Sequence, residues 1–250
     1  MRYRISLSYD GTSYVGWQVQ EKPNSIQSLV QKALETALRH PINLTGAGRT
    51  DSGVHAYGQT AHFDTDVSFE PRRLLFSLNA LLPPDIRILK IDPVAPDFHA
   101  RYSATGKIYH YHLHLDRILD PFTAKYRYHV LEPLNLDLLQ KATKRFLGTK
   151  DFTSFANEAY RGSASHDPVR TLKRFDAIPQ PGGLRLELEA DGFLYRMVRN
   201  LVGTLIEVAR GKISLDDIDL IFAARNRSKA GPSAPPNALF LIEVIYPHST

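Results

Sequence analysis

The sequence has 250 residues, and its 31 lysines and arginines exceed its 26 acidic residues, so the formal net charge is +5 with histidine neutral. It contains no cysteine, which excludes disulfides, thiolate metal sites and cysteine nucleophiles and fits a cytoplasmic protein. No apolar run approaches the ~18 residues of a membrane-spanning helix, and no signal-peptide pattern precedes Arg2 and Arg4, so no membrane contact is predicted.

The basic excess is confined to one part of the chain. Residues 1–100 carry ten basic and ten acidic side chains, whereas residues 101–250 carry 21 and 16. Such asymmetry indicates a polyanionic partner. A solvated basic surface without a partner remains the alternative at this modest charge.

Apolar alternation predicts strands at both ends of the chain and near its middle. Tyr3, Ile5, Leu7 and Tyr9 alternate with polar residues, and the same pattern recurs over 184–190 and 240–246. Strands with one apolar and one polar face are typical of antiparallel sheets.

Three helices follow from apolar spacing and end signals. The first is predicted to begin at Asn24 as N-cap, with Gln27 completing a capping box. The second is predicted over about 136–147 and the third over about 195–210, and each ends at a glycine.

The order strand, helix, strand, strand, helix, strand in the first half, with a comparable mix afterwards, predicts an α+β fold. We expect two α/β halves, 1–100 with the 46–56 loop and 101–250 with the basic excess. Each would have mixed, mainly antiparallel sheet with helices on one side and an open cleft on the other. Segments 157–168 and 225–237 are predicted to be mobile loops.

Residues 46–56, with the sequence GAGRTDSGVHA, hold the densest chemical pattern. Apolar alternation on both sides predicts a loop between two strands. Asp51 lies two residues from Arg49, and a carboxylate held beside a fixed positive charge stays ionised as a nucleophile or an electrostatic anchor. On the pattern alone, Asp-Ser-Gly is more commonly a simple turn.

The predicted strand over 107–115 places Tyr109 on one face and His110, His112 and His114 on the other. Alternate histidines on a strand can bind a metal. No carboxylate or further histidine is spaced as a partner on a second strand, so no metal is predicted. Tyr109 by itself fits a tyrosine of a half-buried strand.

Arg199 falls in the first turn of the third predicted helix, where the helix dipole disfavours a cation. An anion nearby would compensate, and Asp51, a phosphate or both could supply it. A surface salt bridge to another carboxylate is an equally good explanation from the pattern.

The segment 48–56, GRTDSGVHA, resembles the active-site motif of the tRNA pseudouridine synthase A family. Further family motifs are similar to other segments of this chain: 9–18, 97–105 with 107–111, 197–203, and 234–239. One departure is Ala238, which stands where the family usually has glycine.

This resemblance implies a pseudouridine synthase fold and a cofactor-free isomerase, active as a homodimer that shares one tRNA. The implied substrates are the uridines at tRNA positions 38, 39 and 40, in the anticodon stem and loop. Asp51 corresponds to the catalytic nucleophile, and Tyr109, Arg49 and Arg199 to substrate-binding residues. Whether Asp51 attacks C6 or C1′, and whether Arg49 fills the space of a flipped base or holds a phosphate, stays open.

Two other classes of function remain. A noncatalytic RNA-binding protein on a similar scaffold would not need Asp51. A nucleoside glycosidase would need a second carboxylate opposite the first, and Asp64 and Asp66 lie beyond the next predicted strand.

Overall fold

The computed structural model describes residues 1–20, 24–157 and 167–247. Over these residues the chain forms an α+β fold with five α-helices and ten strands, which confirms the predicted fold class. It divides into two compact units, one of residues 1–105 with the chain from Phe240, the other of Gly106–Leu239. No helix in the described ranges is long and apolar enough to cross a membrane.

The first unit is built on a sheet with the strand order β4-β1-β3-β10. β1 is antiparallel to both β3 and β4, β10 is parallel to β3, and the short β2 pairs with β3. α2 packs against β4, and α1 packs against α2. The elements are β1 (Arg2–Tyr9), α1 (Ile26–Leu38), β2 (Thr45–Gly46), β3 (His55–Asp64), α2 (Pro71–Leu81), β4 (Ile86–Val94) and β10 (Leu239–Ile245).

The alternation predicted for β1 is confirmed, because its apolar residues are buried and its polar residues are only partly so. The predicted start of α1 is wrong by one residue. Ser25 is the N-cap and accepts from the backbone of Ser28 at 3.2 Å. Asn24 has a left-handed backbone, with φ of 89°, and its amide donates to the carbonyl of Ser13 instead. The amide of Gln27 donates to the carbonyl of Leu44, so it forms no capping box.

The second unit is built on an antiparallel sheet with the strand order β5-β9-β8-β7, and β6 adds to β5 in parallel. α3 packs against β8 and against both other helices of the unit. The elements are β5 (Gly106–His114), β6 (Tyr128–His129), α3 (Leu136–Arg145), β7 (Gly148–Asp151), β8 (Val169–Gln180), β9 (Gly183–Ala190), α4 (Met197–Ala209) and α5 (Leu215–Ala224).

α4 is the most buried helix described, in keeping with its nearly continuous apolar sequence. It begins at Met197 rather than at the predicted Tyr195, because Arg196 has a left-handed backbone, with φ of 59°. α5 has no counterpart among the predicted helices. The sequence does contain a helix-start signal there, since Ser214 and Asp217 form a capping box.

Of the two segments predicted to be mobile loops, the first falls mostly on 158–166, which lies outside the described residues. The second, 225–237, contains two short 3₁₀ turns and is tied to α4 by hydrogen bonds. The backbone of Gly231 donates to the hydroxyl of Thr204 at 3.0 Å, and the backbone of Ala234 donates to the carbonyl of Arg199 at 3.0 Å. It is therefore an anchored segment.

His62 on β3 is a buried histidine whose surroundings disfavour its protonated form. Its side chain is 6% exposed, and its Nδ1 accepts a hydrogen bond from the backbone of Ala100 at 3.1 Å. Burial, assisted by the neighbouring His99 and Arg2, lowers the pKa of His62 to about 4. The folded state therefore keeps this imidazole neutral where the unfolded chain would protonate it.

We predict that the free energy of unfolding falls as the pH is lowered from about 6.5 to about 4, because the unfolded state binds the extra proton. Asn at position 62 keeps an acceptor near Nδ1 and cannot be protonated there. Urea denaturation at several pH values should show that the free energy of unfolding depends less steeply on pH in His62→Asn than in the wild type. Identical slopes would assign the acid sensitivity to other groups.

Candidate functional site

The segment 47–54 forms the predicted loop between strands, since β2 ends at Gly46 and β3 begins at His55. It is called the catalytic loop below, after the family motif that its sequence resembles. Its central buried residue is Thr50, which is 7% exposed. The backbone of Trp17 donates to the carbonyl of Thr50 at 3.1 Å, and the hydroxyls of Thr50 and Tyr9 are 2.8 Å apart.

Two glycines let the segment after β1 approach the catalytic loop backbone to backbone. A Cβ on Gly11 would lie 2.0 Å from the carbonyl oxygen of Val54. A Cβ on Gly16, whose φ is +98°, would lie 2.4 Å from that of Thr50. The hydroxyl of Ser52 donates to the carbonyl of Tyr14 at 3.0 Å. The two segments are thus packed more closely than side chains would allow.

The other side of the catalytic loop is held by β3. Gln59 is fully buried, and its amide donates to the carbonyl of Gly48 at 3.1 Å. The backbone of Ala47 donates to the carbonyl of Thr60 at 2.7 Å. The loop is therefore fixed at its start as well as at its centre.

Asp51 lies at the turn of this loop and is half-buried. Arg49, two residues earlier in the sequence, is exposed. The backbone of Val54 donates to the carbonyl of Asp51 at 3.1 Å, and Gly53 takes the left-handed conformation with φ of 78°. The predicted turn is thus present. A chemical role is compatible with this turn, because the hydrogen bond from Val54 goes to the backbone carbonyl of Asp51.

His55 follows the loop and is 1% exposed. Its ring stacks on Phe240 of β10 with centroids 4.6 Å apart, and its Nδ1 accepts from the backbone of Gly11 at 3.0 Å. His55 is the histidine of the 46–56 sequence pattern. Its structural role is to join the catalytic loop, β10 and the segment after β1.

Tyr109 lies on β5 opposite Leu188 of β9, on the predicted face of that strand. It is 8% exposed, and its ring meets that of Phe193 edge to face with centroids 5.1 Å apart. Tyr111, on the same face, donates through its hydroxyl to the carbonyl of Pro235 at 2.8 Å. This face is therefore continuous with the 225–237 segment.

Arg199 is in the first turn of α4, as predicted. Its Nε donates to the carbonyl of Ala234 at 2.7 Å, so the guanidinium is tied to the 225–237 segment from its inner nitrogen. This bond leaves the two terminal nitrogens to other interactions. The direction of the side chain thus depends on where the segment lies.

Asn200, next in sequence, holds that segment and is fully buried. Its amide nitrogen donates to the carbonyl of Phe155 at 2.8 Å and to the side chain of Asn157 at 3.0 Å. Its amide oxygen accepts from Arg227 at 3.0 Å and from the hydroxyl of Ser233. Every hydrogen-bonding position of this amide is used, although no local sequence pattern indicated a role for Asn200.

The structure places the predicted site residues in different units: Asp51 and Arg49 belong to the first, and Tyr109 and Arg199 to the second. The histidines of β5 have other partners. His110 lies 3.6 Å from Glu187, and His114 is bonded to the carbonyl of Ile118. Nowhere in 1–20, 24–157 and 167–247 do three potential ligands form a metal-binding group.

Asp64 lies at the far end of β3 from the catalytic loop and forms a bidentate pair with Arg2, so it is not a second carboxylate for Asp51. Ala238, the departure from the family pattern, is buried in a 3₁₀ turn and does not have a positive φ. Alanine therefore fits there without strain.

An α+β chain with a basic excess and one carboxylate in a rigid glycine-rich loop fits the class of RNA-modifying isomerases. Residues 5–103 and 142–247 match the family model described as tRNA pseudouridine synthase. The chain belongs to this family, whose members convert uridine into pseudouridine in tRNA.

Individual relatives agree with the family model. The tRNA pseudouridine synthase A 1 of Protochlamydia amoebophila is 53% identical over 98% of this chain and 96% of its own length. The tRNA pseudouridine synthase A of Bacillus licheniformis is 41% identical over 98% and 99%. That of a Thermoanaerobacter species is 40% identical over 97% and 98%. The similarity extends over both units.

We predict that Gly16→Ala disrupts the catalytic loop and lowers pseudouridine formation more than tenfold. The new methyl group would collide with the backbone at Thr50 and would also occupy a left-handed residue. Gly148→Ala is the matched control, because Gly148 has the same φ of +98° and nothing within 4 Å of the added Cβ.

Gly148→Ala should therefore lower the free energy of unfolding by only about 1 kcal/mol, the cost of placing alanine in a left-handed backbone conformation. Urea denaturation and pseudouridine formation should be measured on both variants. Equal losses of stability and activity would show that close packing at Gly16 is not what holds the loop.

Proposed function

We propose that this protein isomerises uridine to pseudouridine at positions 38, 39 and 40 of the anticodon stem and loop of tRNAs, with Asp51 as the nucleophile. Membership of the family supports the reaction. The observation that carries the residue assignment is the catalytic loop, which fixes the backbone on both sides of Asp51 and leaves its residue half-buried. A nucleophile fixed in this way loses little orientational freedom when the substrate binds.

The chemistry needs a target base outside the helical stack. A uridine in a stem cannot be attacked in place, so it must be flipped out. Asp51 then attacks either C6 of the base or C1′ of the ribose, and the bond between N1 and C1′ breaks. The uracil rotates, C5 bonds to C1′, and the bond to Asp51 breaks, which regenerates the carboxylate. C5 loses its proton and N1 gains one. The product has the same atoms as the substrate, so neither an oxidant nor a group donor is consumed.

The remaining site residues assist this step. Arg49 is exposed, and it would fill the space left by the flipped base or hold a phosphate. Tyr109 would hold the base through its ring and take part in proton transfer through its hydroxyl. Arg199 would stabilise the ionised carboxylate of Asp51. The Nε of Arg199 already donates to the carbonyl of Ala234. This bond holds the guanidinium charge in a defined position, which supports the proposed role.

The two alternative classes predict different products. A nucleoside glycosidase would release free uracil, and a noncatalytic RNA-binding protein would leave uridine unchanged. In the first unit, Asp64 is committed to Arg2 at the opposite end of β3, which argues against its use as the second carboxylate of a glycosidase. Incubation of unmodified tRNA with the pure protein distinguishes pseudouridine, uracil and unchanged uridine.

We predict that Asp51→Asn abolishes isomerisation and leaves folding and tRNA binding nearly intact. Asparagine keeps the size and turn preference of aspartate, and the hydrogen bond that Val54 donates in the turn goes to the backbone carbonyl of residue 51. The variant loses the charge and the nucleophilic oxygen. The measurements are tritium release from C5 of labelled uridine in tRNA and binding of the same tRNA. Asp66→Asn, at a fully exposed side chain beyond β3, is the control.

Tritium release near the wild-type rate would contradict the assignment of Asp51. Joint loss of folding and binding would instead favour a purely structural role for this aspartate.

Substitutions of the assisting residues should be milder. Arg199→Ala removes the charge proposed to stabilise the carboxylate but keeps the nucleophile, so tritium release should fall less than in Asp51→Asn. Tyr109→Phe keeps the ring and removes the hydroxyl, which separates base stacking from proton transfer. Wild-type rates for both variants would refute these assignments.

We further propose that the active species is a cytoplasmic homodimer that binds tRNA across basic surfaces. The basic excess in residues 101–250 supports the electrostatic part of this proposal. Light scattering should give twice the mass of one chain, and the affinity for tRNA should fall steeply with salt through counterion release. A strictly monomeric active species would exclude the dimer, and salt-independent binding would exclude the basic surface.

A further inference from the structure

The motif at 97–105 resembles a family motif, yet no step of the proposed reaction uses it. In the structure its residues 98–103 form a compact turn between β4 and β5. The backbone of His99 donates to the hydroxyl of Ser103, and the backbone of Ser103 donates to the carbonyl of His99, both at 2.9 Å. The turn therefore closes on itself.

The same turn is fastened to the sheet of the first unit at Phe98 and at Ala100. Arg2 donates to the carbonyl of Phe98 at 2.9 Å, and the hydroxyl of Tyr246 donates to the carbonyl of Ala100 at 2.6 Å. The backbone of Ala100 donates to the buried His62. A surface turn with this many anchors has little conformational freedom to lose on binding.

The outer side of the turn presents three stacked side chains, His99, Tyr102 and Arg101, called the aromatic stack below. The rings of His99 and Tyr102 have centroids 4.4 Å apart and are tilted by 38°, and the guanidinium of Arg101 lies 5.7 Å from the Tyr102 centroid. The Nδ1 of His99 accepts from the backbones of Arg101 and Tyr102, which fixes its ring. Tyr102 is 71% exposed.

The aromatic stack lies far from Asp51 within the first unit. The stack is fastened near Arg2, which pairs with Asp64 at one end of the sheet. The catalytic loop lies beside Tyr9, which pairs with Ala56 at the other end. Seven residues of extended strand separate these ends by about 23 Å. A uridine held at Asp51 cannot also touch Tyr102, but a second part of the same tRNA can.

We propose that the aromatic stack is a substrate-RNA contact that stacks on a base remote from the target uridine, with Arg101 adding positive charge next to the RNA backbone. The proposal rests on the proposed function only in taking tRNA as the substrate. An exposed tyrosine on an anchored turn offers a π-face to any unpaired base. An adjacent arginine combines cation–π contact with attraction to phosphate.

A similar pair elsewhere in the first unit supplies the control. Arg72 lies 5.7 Å from the ring centroid of Phe76, which is 59% exposed. This pair lies on one helix, α2, four residues apart, and has no histidine ring beneath it. Phe76→Ala therefore removes an exposed aromatic next to an arginine without touching the aromatic stack.

The experiment measures binding of full-length tRNA to variants made in the Asp51→Asn background, so that turnover does not interfere. Tyr102→Ala should weaken binding about tenfold, the scale of one lost base–aromatic stack. Tyr102→Trp should keep wild-type affinity, and Phe76→Ala should stay within twofold. Arg101→Gln should lower the slope of log affinity against log salt concentration by about one.

Affinity within twofold of the parent for Tyr102→Ala, or an equal loss for Phe76→Ala, would overturn the proposal. An unchanged salt slope for Arg101→Gln would remove the role of the arginine. The proposed function fails separately, because it is tested by tritium release from the protein with Asp51 intact. Because Tyr102 is mostly exposed, its replacement should leave the thermal unfolding midpoint unchanged, and Tyr102→Phe should bind normally.

Discussion

The backbone contact between the segment after β1 and the catalytic loop is the constraint on which the proposed site depends. Gly16 allows the chain to lie against the carbonyl of Thr50, and the Trp17 backbone then donates to that same carbonyl. Thr50 is buried while the next residue, Asp51, is half-buried. The backbone of the proposed nucleophile is thus positioned by its buried neighbour.

The second unit repeats this principle at α4. Arg199 is followed by Asn200, which is fully buried and uses all its hydrogen-bonding positions. Asn200 holds the 225–237 segment, and Ala234 in that segment holds the inner nitrogen of Arg199. In both units a polar residue proposed for chemistry lies next to a buried residue that fixes it. This arrangement allows precise placement without burying a charge, which would be costly.

Local patterns predicted much of this protein correctly. The buried faces of β1 and β5 were predicted from the alternation of side chains, because successive side chains of a strand point to opposite faces of the sheet. α4 followed from its apolar run, and Gly53 from turn chemistry. The N-cap of α1 was wrong because Asn24 is drawn to the carbonyl of Ser13, eleven residues away. Propensity does not include such a long-range contact.

The sequence by itself determined the class of fold. Through the 46–56 pattern and its resemblance to one family, it also indicated the residues that we propose for the chemistry. Only the tertiary structure decided which elements hold those residues in place. The parallel pairing of β10 with β3, the stacking of His55 on Phe240 and the anchoring of the aromatic stack by Arg2 join residues at least 96 positions apart. Side-chain periodicity records which face of an element is buried, but it carries no information about the partner that buries it.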